Sequence, residues 1–260
     1  MIPELSTLLR DSVLDILEDR VAIAFSGGID STLMAKVAKD AATVELYTAG
    51  TINSPDIKYA ESIAAELGLP IEKVLLNEKD VIDIYGKCYQ TVPNTLLKVE
   101  LLVPVYAVAK RASEKGHNCM LFGSGAEELF VGYNRYYTYF DEGKDLDSLL
   151  RKEFDALRYC EIEWIKKICR KFSIDARFPF YNSRLAEFVF SIPIEKRMED
   201  RELKKGLLRE AAALLRIPSL AIKRRKQAMQ YGSRIHNILL RNSDMINNTY
   251  PPQLNKDKHF

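Results

Sequence analysis

Apolar and polar positions follow two different patterns in the two halves of the chain. In the first half, short apolar runs typical of strands alternate with stretches whose apolar residues recur at helical spacing. The strand-like runs are RVAIAFS, TVELYTAG, PIEKVLLN and HNCMLFGSG. Repeated units of this length predict an α/β fold with a parallel sheet and helices on both faces. We expect ligands to bind outside the carboxyl ends of such strands.

From about residue 141 onward the strand patterns stop and helical patterns take over. They include DSLLRKEFDALRYCEIEWIKKICRKF, SRLAEFVFSI, ELKKGLLREAAALL and SRIHNILLRN. We therefore predict a single domain over residues 1–260, with an α/β nucleotide-binding part at 1–140 and a helical part at 141–242. The polar stretch 243–260 contains a Pro pair and is predicted to be an extended tail.

Composition narrows the class of protein. Hydrophobic residues make up 47% of the 260 residues, which is enough for a sizeable core. The net charge of +2 does not favour or exclude a nucleic-acid or acidic partner. No stretch approaches the roughly 20 apolar residues of a membrane span, and the acidic N-terminal stretch resembles an amphipathic helix rather than a signal peptide. The four cysteines form no CxxC pair, which disfavours structural zinc and favours a reducing, cytoplasmic location.

The sequence SGGIDST lies at the junction between the first predicted strand and the following helix. Its glycines leave backbone N–H groups uncovered beside a helix N-terminus, an arrangement that favours phosphate binding. Asp30 can in addition hold Mg²⁺ against the phosphates. Taken alone, the segment could also be a helix N-cap with a small-residue turn. The candidate phosphate-binding residues are Ser26, Gly27, Gly28, Asp30, Ser31 and Thr32.

This loop resembles the pyrophosphate-binding loop of the N-type ATP pyrophosphatases, the PP-loop superfamily, which cleave ATP to AMP and pyrophosphate. A second segment, LFGSGAEELFVGYNRY, resembles the signature of asparagine synthetases. Glu127 stands where that family has a metal-binding aspartate, so the resemblance implies that Asp30 and Glu127 hold Mg²⁺. The residues that match the signature are Gly123, Gly125, Glu128, Leu129, Phe130, Gly132 and Tyr133.

The resemblance continues in collinear order through DARFPFYNSRLAEFVFSIP and KGLLREAAALLRIPSLAIKRRKQAMQYGS. It implies an adenine nucleotide alpha hydrolase-like fold whose parallel sheet has five strands. It also implies that Lys205 is catalytic and that Gly123, Arg224 and Lys226 contact ATP. These cations lie in the stretch 201–226, which holds nine lysines and arginines against two glutamates. Such a stretch is also typical of a solvated helix face or of a nucleic-acid patch.

The residues that differ from the family's pattern stand at positions expected to contact the substrate. Ser124, which we count with Lys205 as a candidate catalytic residue, occupies the position of a family glutamate that helps with proton movement during amide formation. A serine cannot act as the same base. Glu161 stands at a family aspartate, and Trp164 stands where bacterial members have an arginine. With Arg177, these two residues make up the expected substrate pocket.

The resemblance implies a ligase that uses ATP and Mg²⁺. A substrate carboxylate attacks the α-phosphorus of ATP, pyrophosphate leaves, and ammonia or an amine then displaces AMP to form an amide. Because no glutaminase pattern precedes the first strand, the expected nitrogen sources are free ammonia, a separate glutaminase subunit or an amine on the substrate. Membrane and nucleic-acid partners are not expected.

Two alternatives stay open. The basic stretch Lys223–Lys226 is compatible with a PP-loop enzyme that modifies tRNA. Ser124 is compatible with a regulator that binds ATP without catalysis, although Asp30, Glu127 and Lys205 argue against it.

Overall fold

The computed structural model describes residues 1–52, 54–224 and 233–251 of the chain. Its centre is a parallel sheet of five strands in the order β3-β2-β1-β4-β5. This confirms the predicted α/β fold and the number of strands. The strands are β1 (Arg20–Ala24), β2 (Thr43–Gly50), β3 (Ile71–Leu75), β4 (Cys119–Leu121) and β5 (Asp175–Arg177).

β1 lies in the middle of the sheet. Ile23 is paired with Leu46 of β2 on one side and with Leu121 of β4 on the other. The consecutive residues Val21, Ala22 and Ile23 are all fully buried. A strand with a continuous apolar run is expected in a parallel sheet, because helices cover both of its faces.

The first half of the chain supplies the helices α1 (Ile2–Leu14), α2 (Ile29–Ala38), α3 (Pro55–Leu67), α4 (Glu78–Thr91), α5 (Leu96–Glu100) and α6 (Leu102–Glu114). α3 begins at a Ser-Pro-Asp sequence, a typical helix start, and the Ser54 side chain accepts a hydrogen bond from the Ile57 N–H. Among the described residues no helix taken singly is long and apolar enough to cross a membrane. The stretches Glu78–Thr91 and Leu96–Glu114 meet that criterion only as a pair bent by 110°.

The second half is mostly helical, as predicted. Its helices are α7 (Ala126–Leu129), α8 (Asn134–Asp141), α9 (Leu146–Ala156), α10 (Glu161–Arg170), α11 (Ser183–Ser191), α12 (Ile194–Arg197), α13 (Gly206–Leu214), α14 (Ser219–Lys223), α15 (Ile235–Arg241) and α16 (Ser243–Thr249), with a short 3₁₀ turn at Leu157–Tyr159. The strand order reverses between β1 and β4. Right-handed crossovers therefore place α2 and α3 on one face of the sheet and α6 and α10 on the other.

Two details differ from the expectations. β5 lies inside the part predicted to lack strands, because a three-residue strand is too short to show a period. The predicted extended tail begins instead with α16, which buries Ile246 against the core. Tyr250 follows it and packs against the rings of Tyr85 and Tyr89. Residues 252–260 of the predicted tail lie outside the described residues.

Candidate nucleotide and metal site

The predicted site residues meet at the carboxyl ends of two neighbouring strands. SGGIDST follows β1, and the turn that begins at Gly123 follows β4. β1 and β4 are also the strands between which the order of the sheet reverses. In open α/β sheets this reversal point leaves a crevice for ligands. The sheet thus brings together two segments that lie about a hundred residues apart in sequence.

The loop after β1 is folded by its own hydroxyl groups. The Ser26 N–H donates to Ser31 Oγ at 3.3 Å, and the Gly28 N–H donates to Ser26 Oγ at 3.2 Å. Gly27 has a φ of +68°, and a Cβ there would lie 3.0 Å from the ring of Tyr59. This close approach to α3 is possible only without a side chain. The loop therefore leads directly into the N-terminus of α2, as a phosphate site requires.

Lys205 connects the two strand ends. Its ammonium Nζ lies 2.8 and 2.7 Å from the two carboxylate oxygens of Asp30 and 2.8 Å from Oε1 of Glu127. The side chain is only 3% exposed. Burial lowers the pKa of Lys205, but the negative charges of Asp30 and Glu127 and the hydrogen bonds to them outweigh it, so the pKa is raised. Lys205 is therefore a buried cation between two carboxylates.

The backbone that presents Lys205 is strained. Lys204 and Lys205 both have left-handed backbone angles, with φ of 60° and 57°. The buried guanidinium of Arg209 donates to the carbonyls of Leu203 at 2.7 Å and Lys204 at 2.6 Å, which holds the turn. Such strain is typical of functional sites whose surroundings fix the conformation. The sequence reasoning did not identify Arg209 as a site residue, although it lies in the matched segment.

Gly132 makes the approach of Lys205 to Glu127 possible. A Cβ at this position would lie 1.6 Å from Oε2 of Glu127 and 2.7 Å from Cε of Lys205. The Gly132 N–H also donates to the Glu127 carbonyl at 2.9 Å. The sequence reasoning placed Gly132 in the motif but gave it no role in the site, because the contact with Lys205 joins residues far apart in sequence.

Arg224 lies against the loop after β1. Its guanidinium donates to the Ser26 carbonyl at 3.0 Å and forms an ion pair with Asp56. It also lies 3.8 Å from the centre of the Tyr59 ring. Asp56 and Tyr59 are therefore residues that support the site and that the sequence reasoning missed. The other predicted phosphate contact, Lys226, lies outside the described residues.

The donor set fits a Mg²⁺ ion that is shared with phosphates. Carboxylate oxygens are ligands that Mg²⁺ prefers, and here the oxygens of Asp30 and Glu127 already face one cation. The described part of the chain contains no group of three or more His, Cys, Asp or Glu side chains that could hold a metal ion. Asp30 and Glu127 would thus hold Mg²⁺ together with phosphate oxygens of a nucleotide, not in an all-protein cage.

A second cluster of polar groups adjoins this site. The Ser124 hydroxyl donates to the Glu161 carboxylate at 2.5 Å, joining the turn after β4 to the start of α10. Glu128 is buried, and burial together with the charges of Glu161 and Glu127 raises its pKa to about 8. Trp164, one turn further along α10, is half-buried, and the Lys98 ammonium lies 5.5 Å from the centre of its ring.

Arg177 is placed elsewhere, contrary to the sequence prediction. Its guanidinium donates to the Ile16 carbonyl at 2.7 Å and to Asp175 at 2.7 Å, and it pairs with Glu18. The residue ends β5, but its side chain is held by the segment between α1 and β1. The structure therefore brings Ser124, Glu161 and Trp164 together without Arg177.

Comparison with known proteins gives one family. The sequence profile of the family described as Asparagine synthase matches residues 4–158 and 140–249. A protein of Methanocaldococcus jannaschii assigned as a glutamine-hydrolyzing asparagine synthetase is 30% identical over 265 residues, covering 88% of this chain and 49% of that protein. Asparagine synthetase B of Escherichia coli is 24% identical over 243 residues, covering 86% of this chain and 44% of that protein. The chain thus spans about half the length of these relatives.

Among solved structures, NMN synthetase from Francisella tularensis is 12% identical and matches with a TM-score of 0.43. The match covers 98% of this chain and 97% of that one.

Proposed function

The chain belongs to the asparagine synthase family, and on that premise we propose that it is an ATP-dependent ligase that activates a carboxylate and converts it to an amide. The carboxylate attacks the α-phosphorus of ATP, forming an acyl-adenylate and releasing pyrophosphate. Ammonia or an amine then attacks the acyl carbon and displaces AMP. The nitrogen source is ammonia or an amine.

One observation carries this proposal: the Lys205 ammonium lies between Asp30 and Glu127 at 2.7–2.8 Å, beside the loop after β1. Three distant segments thus place one buried cation and two carboxylates where a triphosphate would meet a helix N-terminus. Such an arrangement suits expulsion of pyrophosphate, whose negative charge grows as it leaves.

The roles proposed for the residues follow from their positions. The proposed phosphate-binding surface at the strand ends is lined by Ser26, Gly27, Gly28, Ser31, Thr32 and Gly123. Asp30 and Glu127 would hold Mg²⁺, which when bound neutralises phosphate charge. Lys205 then contacts the phosphates together with Arg224. The wall that faces the substrate carboxylate is formed by Ser124, Glu161 and Trp164.

The test is exchange of labelled pyrophosphate into ATP with a panel of carboxylic acids. We expect exchange that requires Mg²⁺ and appears only with particular acids. Tight ATP binding without exchange for any acid would instead favour the regulator. Tight tRNA binding that weakens steeply with salt would favour the tRNA-modifying enzyme.

Asp30→Asn tests the metal and phosphate assignment. The substitution removes the charge that faces Lys205, and we expect exchange to fall by about 10²-fold or more. Asp40→Asn is the matched control, because Asp40 follows the same helix, is exposed and pairs only with Lys36 among the described residues. The control should retain full exchange. Unchanged exchange in Asp30→Asn would contradict the assignment.

A further inference from the structure

Arg209 donates hydrogen bonds to two separate segments of the backbone. The residue lies on α13 and is only 7% exposed. On one side, its Nε donates to the Lys204 carbonyl at 2.6 Å and its Nη2 donates to the Leu203 carbonyl at 2.7 Å. On the other side, Nη1 donates to the Ile222 carbonyl, and Nη2 donates to the Arg224 carbonyl at 3.1 Å. A single guanidinium thus joins two segments that lie about twenty residues apart in sequence.

The charge of Arg209 is not used to neutralise an acid. Among the described residues, no carboxylate forms an ion pair with its guanidinium. Burial lowers the pKa of Arg209 below its ordinary value, and the negative charges of Asp200 and Asp30 offset this effect only in part. A buried guanidinium costs free energy unless its N–H groups are hydrogen-bonded, and here backbone carbonyls accept from it. The position of Arg209 therefore suits a residue that holds the backbone.

The first of the two segments presents Lys205. Its two carbonyls stand directly before this residue, and Lys204 and Lys205 have left-handed φ angles of 60° and 57°. Residues with a side chain adopt such angles only at a cost, so the surroundings must hold them there. The hydrogen bonds from Arg209 do so, and the turn directs the Lys205 ammonium to 2.7–2.8 Å from the carboxylates of Asp30 and Glu127.

The second segment presents Arg224. It begins in α14, which has only five residues and ends directly before Arg224. The last carbonyls of a helix have no partner within it. In α14, Arg209 donates to the Ile222 carbonyl, and the Tyr59 hydroxyl donates to the Leu220 carbonyl at 2.6 Å. These contacts fix α14 so that the guanidinium of Arg224 reaches the loop after β1.

We propose that Arg209 is a positioning residue that couples Lys205 to Arg224, so that both cations are presented to the same triphosphate. The inference rests on the proposed ligase function. The Lys205 side chain can then turn from the carboxylates toward the phosphates while Arg209 keeps the backbone of both segments in place. A lysine cannot replace Arg209, because an ammonium offers its donors from one nitrogen atom, whereas the planar guanidinium spreads them over a fixed fork. Loss of the guanidinium therefore weakens both phosphate contacts together.

Arg209→Lys keeps the positive charge and removes the fork, and it is measured in pyrophosphate exchange with the best acid of the panel. We expect kcat to fall about 10²-fold and the KM for Mg·ATP to rise about tenfold, because both cations are displaced. Arg216→Lys is the matched control, since Arg216 is an exposed arginine just after α13, and it should retain both constants. Unchanged kcat and KM in Arg209→Lys would overturn the inference while the ligase function stands.

The affinity for Mg·ATP keeps this test separate from the ligase function. If the wild type exchanges pyrophosphate with no acid, the ligase function is overturned. The Kd for Mg·ATP, measured by calorimetry, then tests Arg209. We expect it to rise about tenfold in Arg209→Lys, and an unchanged Kd would overturn the inference as well.

The response to metal alone separates positioning from a purely structural role. If Lys205 is no longer directed between Asp30 and Glu127, Mg²⁺ or Mn²⁺ without nucleotide should raise the Tm of Arg209→Lys more than that of the wild type. A substitution that only loosens the packing lowers the Tm without changing this response. Equal responses in Arg209→Lys and the wild type would overturn the positioning of Lys205.

A double-mutant cycle tests the coupling to Arg224. The loss of kcat/KM in Arg209→Lys is measured with and without Arg224→Lys. Because Arg209 acts partly through Arg224, we expect the loss in the double variant to be at least about fivefold smaller than the product of the two single losses. Losses that multiply would overturn the coupling.

Tyr59→Phe tests the anchoring of α14 even if Arg209→Lys does not fold. The substitution keeps the ring and removes only the hydroxyl that donates to the Leu220 carbonyl. We expect the KM for Mg·ATP to rise about threefold and the response of the Tm to metal alone to stay that of the wild type, because the turn that presents Lys205 is untouched. An unchanged KM would overturn the inference that carbonyl contacts of α14 position Arg224.

Discussion

Lys205 pairs with two partly buried carboxylates that would otherwise repel each other. Its ammonium contacts Asp30 and Glu127 at 2.7–2.8 Å and is almost fully buried. This ammonium occupies the position between the two carboxylates that a divalent ion would also need. If Mg²⁺ binds there as proposed, Lys205 has to leave Asp30 and Glu127 and turn toward the phosphates.

Lys205→Met tests this competition. Losing one partner of a buried ion network costs about 3–5 kcal/mol, so we expect a lower Tm and no exchange activity. Because two carboxylates are then left facing each other, Mg²⁺ or Mn²⁺ alone should raise the Tm of the variant more than that of the wild type. Lys196→Met, at an exposed lysine, is the control. Equal metal responses in the variant and the wild type would contradict the competition.

Gly132→Ala tests the steric basis of the same contact. An added Cβ would lie 1.6 Å from Oε2 of Glu127, so Glu127 or Lys205 must move. We expect a loss of stability of about 1–3 kcal/mol and a loss of exchange of at least about tenfold. Gly68→Ala is the control: it strains a helix end, where nothing lies within 4 Å of the added Cβ. It should lower the Tm measured by calorimetry but retain exchange.

At the scale of residues, the sequence is informative where the chemistry lies in one contiguous motif. Asp30 and Glu127 were predictable because each lies in a Gly-rich turn directly after a strand. Arg177 was not, because only the folded chain shows that Glu18 and Asp175 already hold its guanidinium. Gly132 lies in the matched signature, but its role depends on Lys205, which is distant in sequence. Arg209 holds a strained turn that no local pattern reveals.

At the scale of elements, the four-residue helix α7 carries both Glu127 and Glu128. A helix this short has little stability of its own. The guanidinium of Arg197 is 1% exposed and donates to the carbonyls of Glu128 at 3.2 Å and Leu129 at 3.0 Å. It also donates to Asp147 of α9 at 2.8 Å. Arg197 therefore fixes the end of α7 against the helical half.

Arg197→Met tests whether α7 is held in this way. Removing a buried guanidinium leaves carbonyls and a carboxylate without a donor, and we expect a loss of stability of about 3–5 kcal/mol. Below the lowered Tm, the KM for Mg·ATP should also rise, because Glu127 is no longer fixed. Arg201→Met is the control, since the Arg201–Asp141 pair is exposed and should cost less than about 1 kcal/mol. A lowered Tm with an unchanged KM for Mg·ATP would show that Arg197 stabilises the fold without positioning Glu127.

Elements were predictable in proportion to their length and their end signals. α3 begins with a capping serine and a proline and ends at Gly68, and its sequence predicts both ends. β5 forms because it pairs in parallel with the edge strand β4. With only three residues, it is too short for its sequence to show the alternation of a strand. α16 forms because Ile246 finds a buried position, which composition alone cannot show.

At the scale of the whole molecule, the two edges of the sheet differ in chemistry. The proposed nucleotide site lies at the carboxyl edge. The amino edge carries a network of ion pairs among Arg20, Glu45, Glu72, Arg111 and Lys115. His117 joins it through a hydrogen-bond contact of 2.9 Å between its Nε2 and Glu45. These residues come from β1, β2, β3 and α6 and from the turn before β4. The network thus joins elements without touching the site, so stability and activity should respond separately to its loss.

Glu72→Gln tests this separation through pH. The hydrogen bond from Arg111 is the main cause that lowers the pKa of Glu72 in the folded protein below its ordinary value. A lowered pKa stabilises the fold above the unfolded pKa of 4.5, and this contribution is lost as the pH falls through the folded pKa. We therefore expect Glu72→Gln to lower the Tm by about 1–4 °C at pH 7 and by progressively less below pH 4.5.

The control for this last substitution is Glu66→Gln, at an exposed position of α3, which should leave the Tm unchanged at every pH. Both variants should retain the pyrophosphate exchange of the wild type at pH 7, because Glu72 lies at the opposite edge of the sheet from Lys205. A Tm difference that does not depend on pH would show that packing of the Glu72 side chain, rather than its charge, stabilises this edge. A loss of exchange in Glu72→Gln would show that the two edges are coupled.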